Sequence, residues 1–97
     1  MAYQIAVAGA SGRMGQMLIQ AIDADPDCRL TGALDLADSA AMGQDAGAFL
    51  GRSTGVAITA DLKQGLQNSR FLIDFTRPEG TLQHLKACRE LGVAAVI

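Results

Sequence analysis

Three glycines, Gly9, Gly12 and Gly15, stand three residues apart in Ala6-Val7-Ala8-Gly9-Ala10-Ser11-Gly12-Arg13-Met14-Gly15. The chemistry they permit is the holding of a phosphate. Glycine takes positive φ in a tight turn and carries no side chain to keep an anion away from backbone N–H groups. An apolar run, Ile5 to Ala8, precedes the glycines, and a helical pattern follows them. That order puts the N–H groups at a helix N-terminus, where unpaired donors and the helix dipole favour an anion. Asp35 lies twenty residues after Gly15. A carboxylate there, ending a second strand, can accept both hydroxyls of an adenosine ribose. The first glycine interval is one residue longer than in the usual dinucleotide fingerprint, so the glycines alone are a weak signal and Asp35 strengthens it. The plainer alternatives are a glycine-rich turn in an unrelated α/β domain and an ordinary solvated carboxylate.

The remaining chemistry-bearing residues are few. Arg13 falls in the first helical turn, a poor place for a cation unless an anion lies opposite. It reads equally as a phosphate contact or a solvated arginine. His84, the only histidine, sits mid-helix beside Leu85 with no base or metal partner legible in sequence, which favours a surface or packing role. Cys88 falls on an apolar stripe and reads as core. Arg77 reads equally as a site residue or a first-turn residue. No Ser/His/Asp set, metal-ligand cluster or acid/base pair stands out. The residues can hold a cofactor, and nothing among them is expected to use it.

The elements that must position these residues alternate between strand and helix. Ile5–Ala8 reads as a buried strand. From Met14 the apolar positions Met17, Leu18, Ala21 and Ile22 trace one helix face, and Asp25-Pro26-Asp27 ends that helix. Residues 29–35 form a second strand with Asp35 at its carboxyl end. Residues 36–55 read as a long loop with at most one short helix, a length common in functional loops. Gly43, Gly47, Gly51 and Gly55 recur there at intervals of four without a sequence-level explanation. Residues 56–59 form a short strand, and residues 61–67 a short helix with Asp61 as its cap. Phe71–Phe75 is a fourth strand. The next helix opens at Thr76-Arg77-Pro78-Glu79, with capping-box spacing and Pro78 tolerated in the first turn. Its expected buried side is Leu82, Leu85 and Cys88, Gly92 ends it, and residues 93–97 form a fifth strand. Such alternation predicts α/β architecture: a Rossmann-type parallel sheet with right-handed crossovers and helices on both faces. Ligands bind such sheets at strand carboxyl ends, where Gly9–Gly12, Asp35 and Phe75-Thr76 all fall.

Composition narrows the function classes. Ninety-seven residues make one domain at most, and 49% hydrophobic residues suffice for a core. A net charge of −2 leaves no basic footprint for nucleic acid, and an aromatic content of 4% without tryptophan leaves no stacking platform. Cys28 and Cys88 are too few for a disulfide framework or a zinc site, which suits a reducing compartment. No signal peptide or membrane-length apolar run is present. The expectation is a cytoplasmic chain with a small-molecule ligand and neither nucleic acid nor membrane as partner.

Two motifs carry a family resemblance. Val7-Ala8-Gly9-Ala10-Ser11-Gly12-Arg13-Met14-Gly15 resembles the opening signature of bacterial dihydrodipicolinate reductase (4-hydroxy-tetrahydrodipicolinate reductase). Ile73-Asp74-Phe75-Thr76-Arg77-Pro78-Glu79-Gly80-Thr81 resembles a second signature of that family, and Gly43-Gln44-Asp45-Ala46-Gly47 its loop. Arg13-Met14 separates the match from epimerases and semialdehyde dehydrogenases. The resemblance implies an NADH- or NADPH-dependent reductase of the diaminopimelate and lysine pathway, acting on a cyclic imine dicarboxylate. It implies that Gly9, Ala10, Ser11, Gly12, Arg13 and Met14 line the cofactor pyrophosphate. Asp35 then holds the adenosine ribose, and Phe75 and Thr76 lie beside the cofactor. It further implies that residues 1–97 are the dinucleotide-binding part of a longer enzyme, truncated after the fifth strand. The catalytic groups and the tetramer contacts would belong to a second domain. Leu36, where NADPH-accepting members tend to carry arginine, implies NADH used at least as well as NADPH. Two other classes remain: a different NAD(P)-dependent enzyme such as a sugar epimerase, and a non-enzymatic NAD(P)-sensing module.

Overall fold

The computed structural model describes residues 3–74 and 78–96, and for residues 78–83 and Val96 it describes the backbone alone. The described residues form five strands and three α-helices, alternating except between β2 and β3: β1 Tyr3–Ala8, α1 Arg13–Ala24, β2 Cys28–Leu34, β3 Ile58–Thr59, α2 Leu62–Leu66, β4 Phe71–Asp74, α3 Pro78–Leu91 and β5 Ala94–Val96. The pairings between these strands are all parallel, in the order β3-β2-β1-β4-β5. The chain leaves β1 toward β2 on one side and returns to β4 on the other. The carboxyl ends of β1 and β4 therefore border the switch point where such sheets bind ligands.

A parallel sheet covered on both faces needs strands that are apolar on both faces. β1 meets that need, since Ala6 and Val7 are fully buried and Ala8 is 1% exposed. Val7, Leu30, Ala33 and Ile58 pack on α1 through Ile19 and Ile22. Ala6, Ala8, Leu34 and Leu72 face the opposite layer, where Leu66, Cys88 and Val93 close over them. The helices thus lie on both faces, as the alternation predicts. Between Ile5 and Ala6 the β1–β2 register slips, leaving Thr31 as the extra residue. Its hydroxyl is satisfied by Ser69 Oγ at 2.7 Å.

Two helix faces differ from expectation. α1 buries Gly15, Ile19 and Ile22, while Met14 and Met17 are 49% and 59% exposed and Ala21 is exposed too. The buried stripe is rotated by about one residue because Gly15 must lie against the glycine turn. In α3, Cys88 is buried as expected, but Leu85 is 39% exposed.

Residues 36–55 hold one 3₁₀ turn, Ala48–Leu50, and a knot around Asp45. The Asp45 carboxylate accepts from the backbone N–H groups of Gly47 (2.8 Å), Thr54 (3.0 Å) and Gly55 (2.9 Å) and from the Thr54 hydroxyl (2.8 Å). These donors, Thr54 and Gly47 foremost, hold its pKa down at about 2. Gly43, Gly51 and Gly55 adopt φ of 82°, 70° and 76°, which accounts for three of the four regularly spaced glycines. An ion pair between Arg52 and Asp23 (2.8 Å) ties this loop to α1. At the start of α2, Asp61 caps the Gln64 N–H at 3.0 Å, as its sequence position predicts.

Candidate functional site

β1 delivers the chain to Gly9, whose φ of 78° turns it sharply away from the strand. The turn is pinned by Gly9 and Ala10 N–H groups donating to Leu34 O at 2.9 and 3.0 Å, and by Gly12 N–H donating to Gly9 O at 3.0 Å. α1 then starts at Arg13, in the first turn as its sequence position predicts. A Cβ on Gly15 would stand 2.0 Å from Gly9 O, so the helix and the turn touch backbone to backbone. A Cβ on Gly12 would stand 3.3 Å from the same oxygen.

The cap of α1 is Gly12, with no side-chain hydrogen bond, and the first turn holds no acidic residue. The first N–H groups of a helix have no intrahelical acceptor. The Gly12 cap has no side chain to supply one, and the dipole adds partial positive charge. A phosphate fits that donor set, because Gly9 and Gly12 carry no side chain to hold it off the backbone. Ala10 is buried beneath the turn, while Arg13 and Met14 open the helix on its exposed side.

Asp35 follows β2 directly and stands beside the same turn. Its N–H donates to Thr59 O at 3.1 Å, fixing the backbone there. Oδ2 accepts from Ser11 N–H at 2.8 Å and from the Ser11 hydroxyl, and Oδ1 accepts from Leu36 N–H at 2.8 Å. Ser39 Oγ lies 3.2 Å from Ser11 Oγ. Two residues twenty-four apart in sequence, Ser11 and Asp35, thus join into one polar site. Leu36 is 71% exposed and brings no charge to it. Phe75 and Thr76, the remaining expected cofactor contacts, lie outside the described residues, as does Arg77.

One pair departs from the sequence reading. His84 has a partner after all: its Nδ1 lies 2.7 Å from Asp74 Oδ2, with the side chains 13% and 1% exposed respectively. The link was hidden because it runs from the last residue of a strand to the second turn of the next helix. Cys88 lies one turn further along α3, and burial, then the Asp74 charge, push its thiol above the ordinary range. No group of three or more candidate metal ligands occurs among the described residues.

A wide cavity of about 980 Å³ lies at the other end of the sheet, lined in part by Gln4, Arg29, Thr31, Ser69 and Arg70. All of these except Thr31, which is mid-strand, belong to the amino-terminal ends of their strands or the turns leading into them. The glycine turn, Asp35 and the end of β4 all lie at the carboxyl ends, where the fold rule places the ligand.

The family described as "Dihydrodipicolinate reductase, N-terminus" matches residues 3–97. The chain belongs to this family. Among curated relatives, the 4-hydroxy-tetrahydrodipicolinate reductase of Cupriavidus taiwanensis is 62% identical over 93 residues, covering 96% of this chain and 35% of that protein. The enzyme of the same name from Herminiimonas arsenicoxydans is 61% identical over 94 residues, covering 97% and 35%. The chain therefore spans about a third of the length of these reductases. A solved structure, dipicolinate-bound dihydrodipicolinate reductase from Paenisporosarcina sp. TG-14, superposes with a TM-score of 0.76 at 22% identity, over 100% of this chain and 37% of that one. Aspartate semialdehyde dehydrogenase with NADP from Candida albicans superposes with a TM-score of 0.73 at 15% identity, over 98% and 29%. At these identities the likeness is one of fold, a Rossmann-type sheet shared by reductase and dehydrogenase. No helix among the described residues is long and apolar enough to cross a membrane.

Proposed function

We propose that this chain is the cofactor-binding part, residues 1–97, of a reductase that converts 4-hydroxy-tetrahydrodipicolinate with NADH or NADPH in diaminopimelate and lysine biosynthesis. The observation that carries the proposal is the uncapped α1 N-terminus behind a glycine-flanked turn, with the Asp35 carboxylate hydrogen-bonded to that turn. Gly9, Ala10, Ser11, Gly12, Arg13 and Met14 line the pyrophosphate, whose charge meets the first-turn N–H groups. Asp35 accepts from the adenosine ribose, and Phe75 and Thr76 lie beside the cofactor at the end of β4. The cofactor, when bound, supplies the hydride.

The residues of this chain bind and orient. The groups that hold the cyclic dicarboxylate and supply its proton belong to the larger remainder of the enzyme, which also builds a homotetramer working in the cytoplasm. NADH serves at least as well as NADPH, because Asp35 repels a 2′-phosphate and Leu36 offers it no positive charge. The test is kcat/KM of the full-length protein for both cofactors with the cyclic imine as substrate. Turnover with either supports the proposal. Cofactor binding without turnover points instead to a sensing module, and failure to bind either cofactor refutes the assignment of the glycine turn.

A further inference from the structure

Asp74 is the one carboxylate buried among the described residues. It ends β4 and pairs in register with Ala8, the residue before Gly9. It therefore sits at the switch point, level with the start of the glycine turn and on the sheet face that α3 covers. Its neighbours there include Ala8, Leu72 and Cys88. In these apolar surroundings a carboxylate needs a partner, and His84 supplies one at 2.7 Å. With Asp74 ionised the carboxylate only accepts, and the imidazole donates to it from Nδ1.

An apolar pair of similar volume would hold α3 on the sheet at least as firmly, since buried ion pairs seldom add net stability over hydrophobic packing. What the hydrogen bond adds is direction. It fixes one point of α3 relative to the last residue of β4, and residues 75–77 join those two elements. We propose that Asp74 and His84 are a positioning pair, fixing α3 against the carboxyl end of β4 beside the start of the glycine turn, and hence how tightly the nicotinamide cofactor is held. This rests on the cofactor-binding role proposed above. Neither residue is assigned contact with cofactor or substrate.

The test uses the full-length protein and three substitutions. In His84→Asn the amide nitrogen takes the place of Nδ1, so the donor to Asp74 is kept. In His84→Gln the amide reaches the place of Nε2 instead, and His84→Leu has no donor. NADH affinity is read by fluorescence titration and NADH KM and kcat by steady-state kinetics, with Tm recorded for each variant. The expected result is an NADH Kd and KM raised about ten-fold or more in His84→Gln and His84→Leu, with kcat changed less than three-fold. His84→Asn stays within three-fold of wild type throughout. Should His84→Leu fail to fold, the contrast between Asn and Gln decides alone. Equal NADH affinity in the folded variants, with or without a lower Tm, overturns the positioning role and leaves the binding assignment standing. A wild-type protein that binds neither NADH nor NADPH overturns the binding assignment itself.

Discussion

The backbone N–H of Ser11 donates to Asp35 Oδ2 at 2.8 Å, so one carboxylate joins the glycine turn to the end of β2. A carboxylate has about four acceptor sites. Ser11 takes two on Oδ2 and Leu36 N–H takes one on Oδ1. A ribose diol that uses both oxygens needs the Ser11 hydroxyl to turn away, and Ser39 Oγ at 3.2 Å gives it somewhere to go. On the proposed assignment, ribose binding at Asp35 would be coupled to the conformation of the glycine turn through Ser11.

That coupling makes Asp35→Asn informative. The amide keeps the shape of the carboxylate but loses its charge, and hydrogen bonds to charged groups are worth about 1.5–3 kcal/mol. In the full-length protein, NADH affinity should fall about ten- to a hundred-fold, at roughly 1.4 kcal/mol per decade. NADPH affinity should fall less, because removing the charge also removes repulsion of the 2′-phosphate. Titration of both cofactors checks this, and an equal fall for both would remove Asp35 from the ribose site.

Cofactor preference should respond to the neighbouring side chain. Leu36 is exposed beside Asp35, so arginine there meets no packing penalty and brings a cation to the place a 2′-phosphate would occupy. At ~4 Å in a partly solvated site, a unit charge pair is worth about 1–4 kcal/mol before its desolvation cost. Leu36→Arg should raise the NADPH-to-NADH ratio of kcat/KM by roughly ten-fold. The ratio should fall back as ionic strength rises, since exposed charges are screened. A wild-type preference for NADPH that the substitution leaves unchanged would place the 2′-phosphate elsewhere.

The features legible in the sequence are those written locally. Gly9, Gly12 and Gly15 announce the turn, and the strand–helix alternation announces the parallel sheet. Asp35 announces itself by its distance from the turn and its place at a strand end. Three features escape because they depend on tertiary contacts. The buried stripe of α1 is set by Gly15 lying on Gly9 O, which hydrophobicity ignores, so the apolar Met14 and Met17 mislead. The Asp74–His84 pair joins residues that no helical or strand period brings together. The Asp45 knot draws donors from nine and ten residues away, across a loop without periodicity.

Gly15→Ala tests the contact between helix and turn. Alanine favours a helix interior by about 1 kcal/mol over glycine. Here its Cβ would stand 2.0 Å from Gly9 O, a backbone atom that can move only with the turn. Forced overpacking costs typically 1–3 kcal/mol. Gly15→Ala should lower Tm and weaken binding of both cofactors together, while Gln20→Ala, on the exposed side of the same helix, should change neither. Normal cofactor affinity in Gly15→Ala would mean that the turn and the helix need not touch.

The Asp45 knot predicts a pH dependence of known sign. Its carboxyl pKa is held at about 2 in the folded chain against an ordinary value of 3.8. Between those values the unfolded loop binds more protons than the folded one, so its stability rises with pH. The stabilisation is complete above about pH 4 and drains away as pH falls toward 2. Amide hydrogen exchange at Thr54 and Gly55, whose N–H groups donate to Asp45, reports this opening residue by residue. After correction for the intrinsic pH dependence of exchange, their protection should fall across that window, ahead of the amides of β1. Asp45→Asn keeps an acceptor oxygen but cannot gain the proton, so protection at both amides should start lower and lose its dependence on pH. If protection in wild type and variant falls in parallel, the acid sensitivity belongs to another carboxylate and the knot is held by something other than the charge on Asp45.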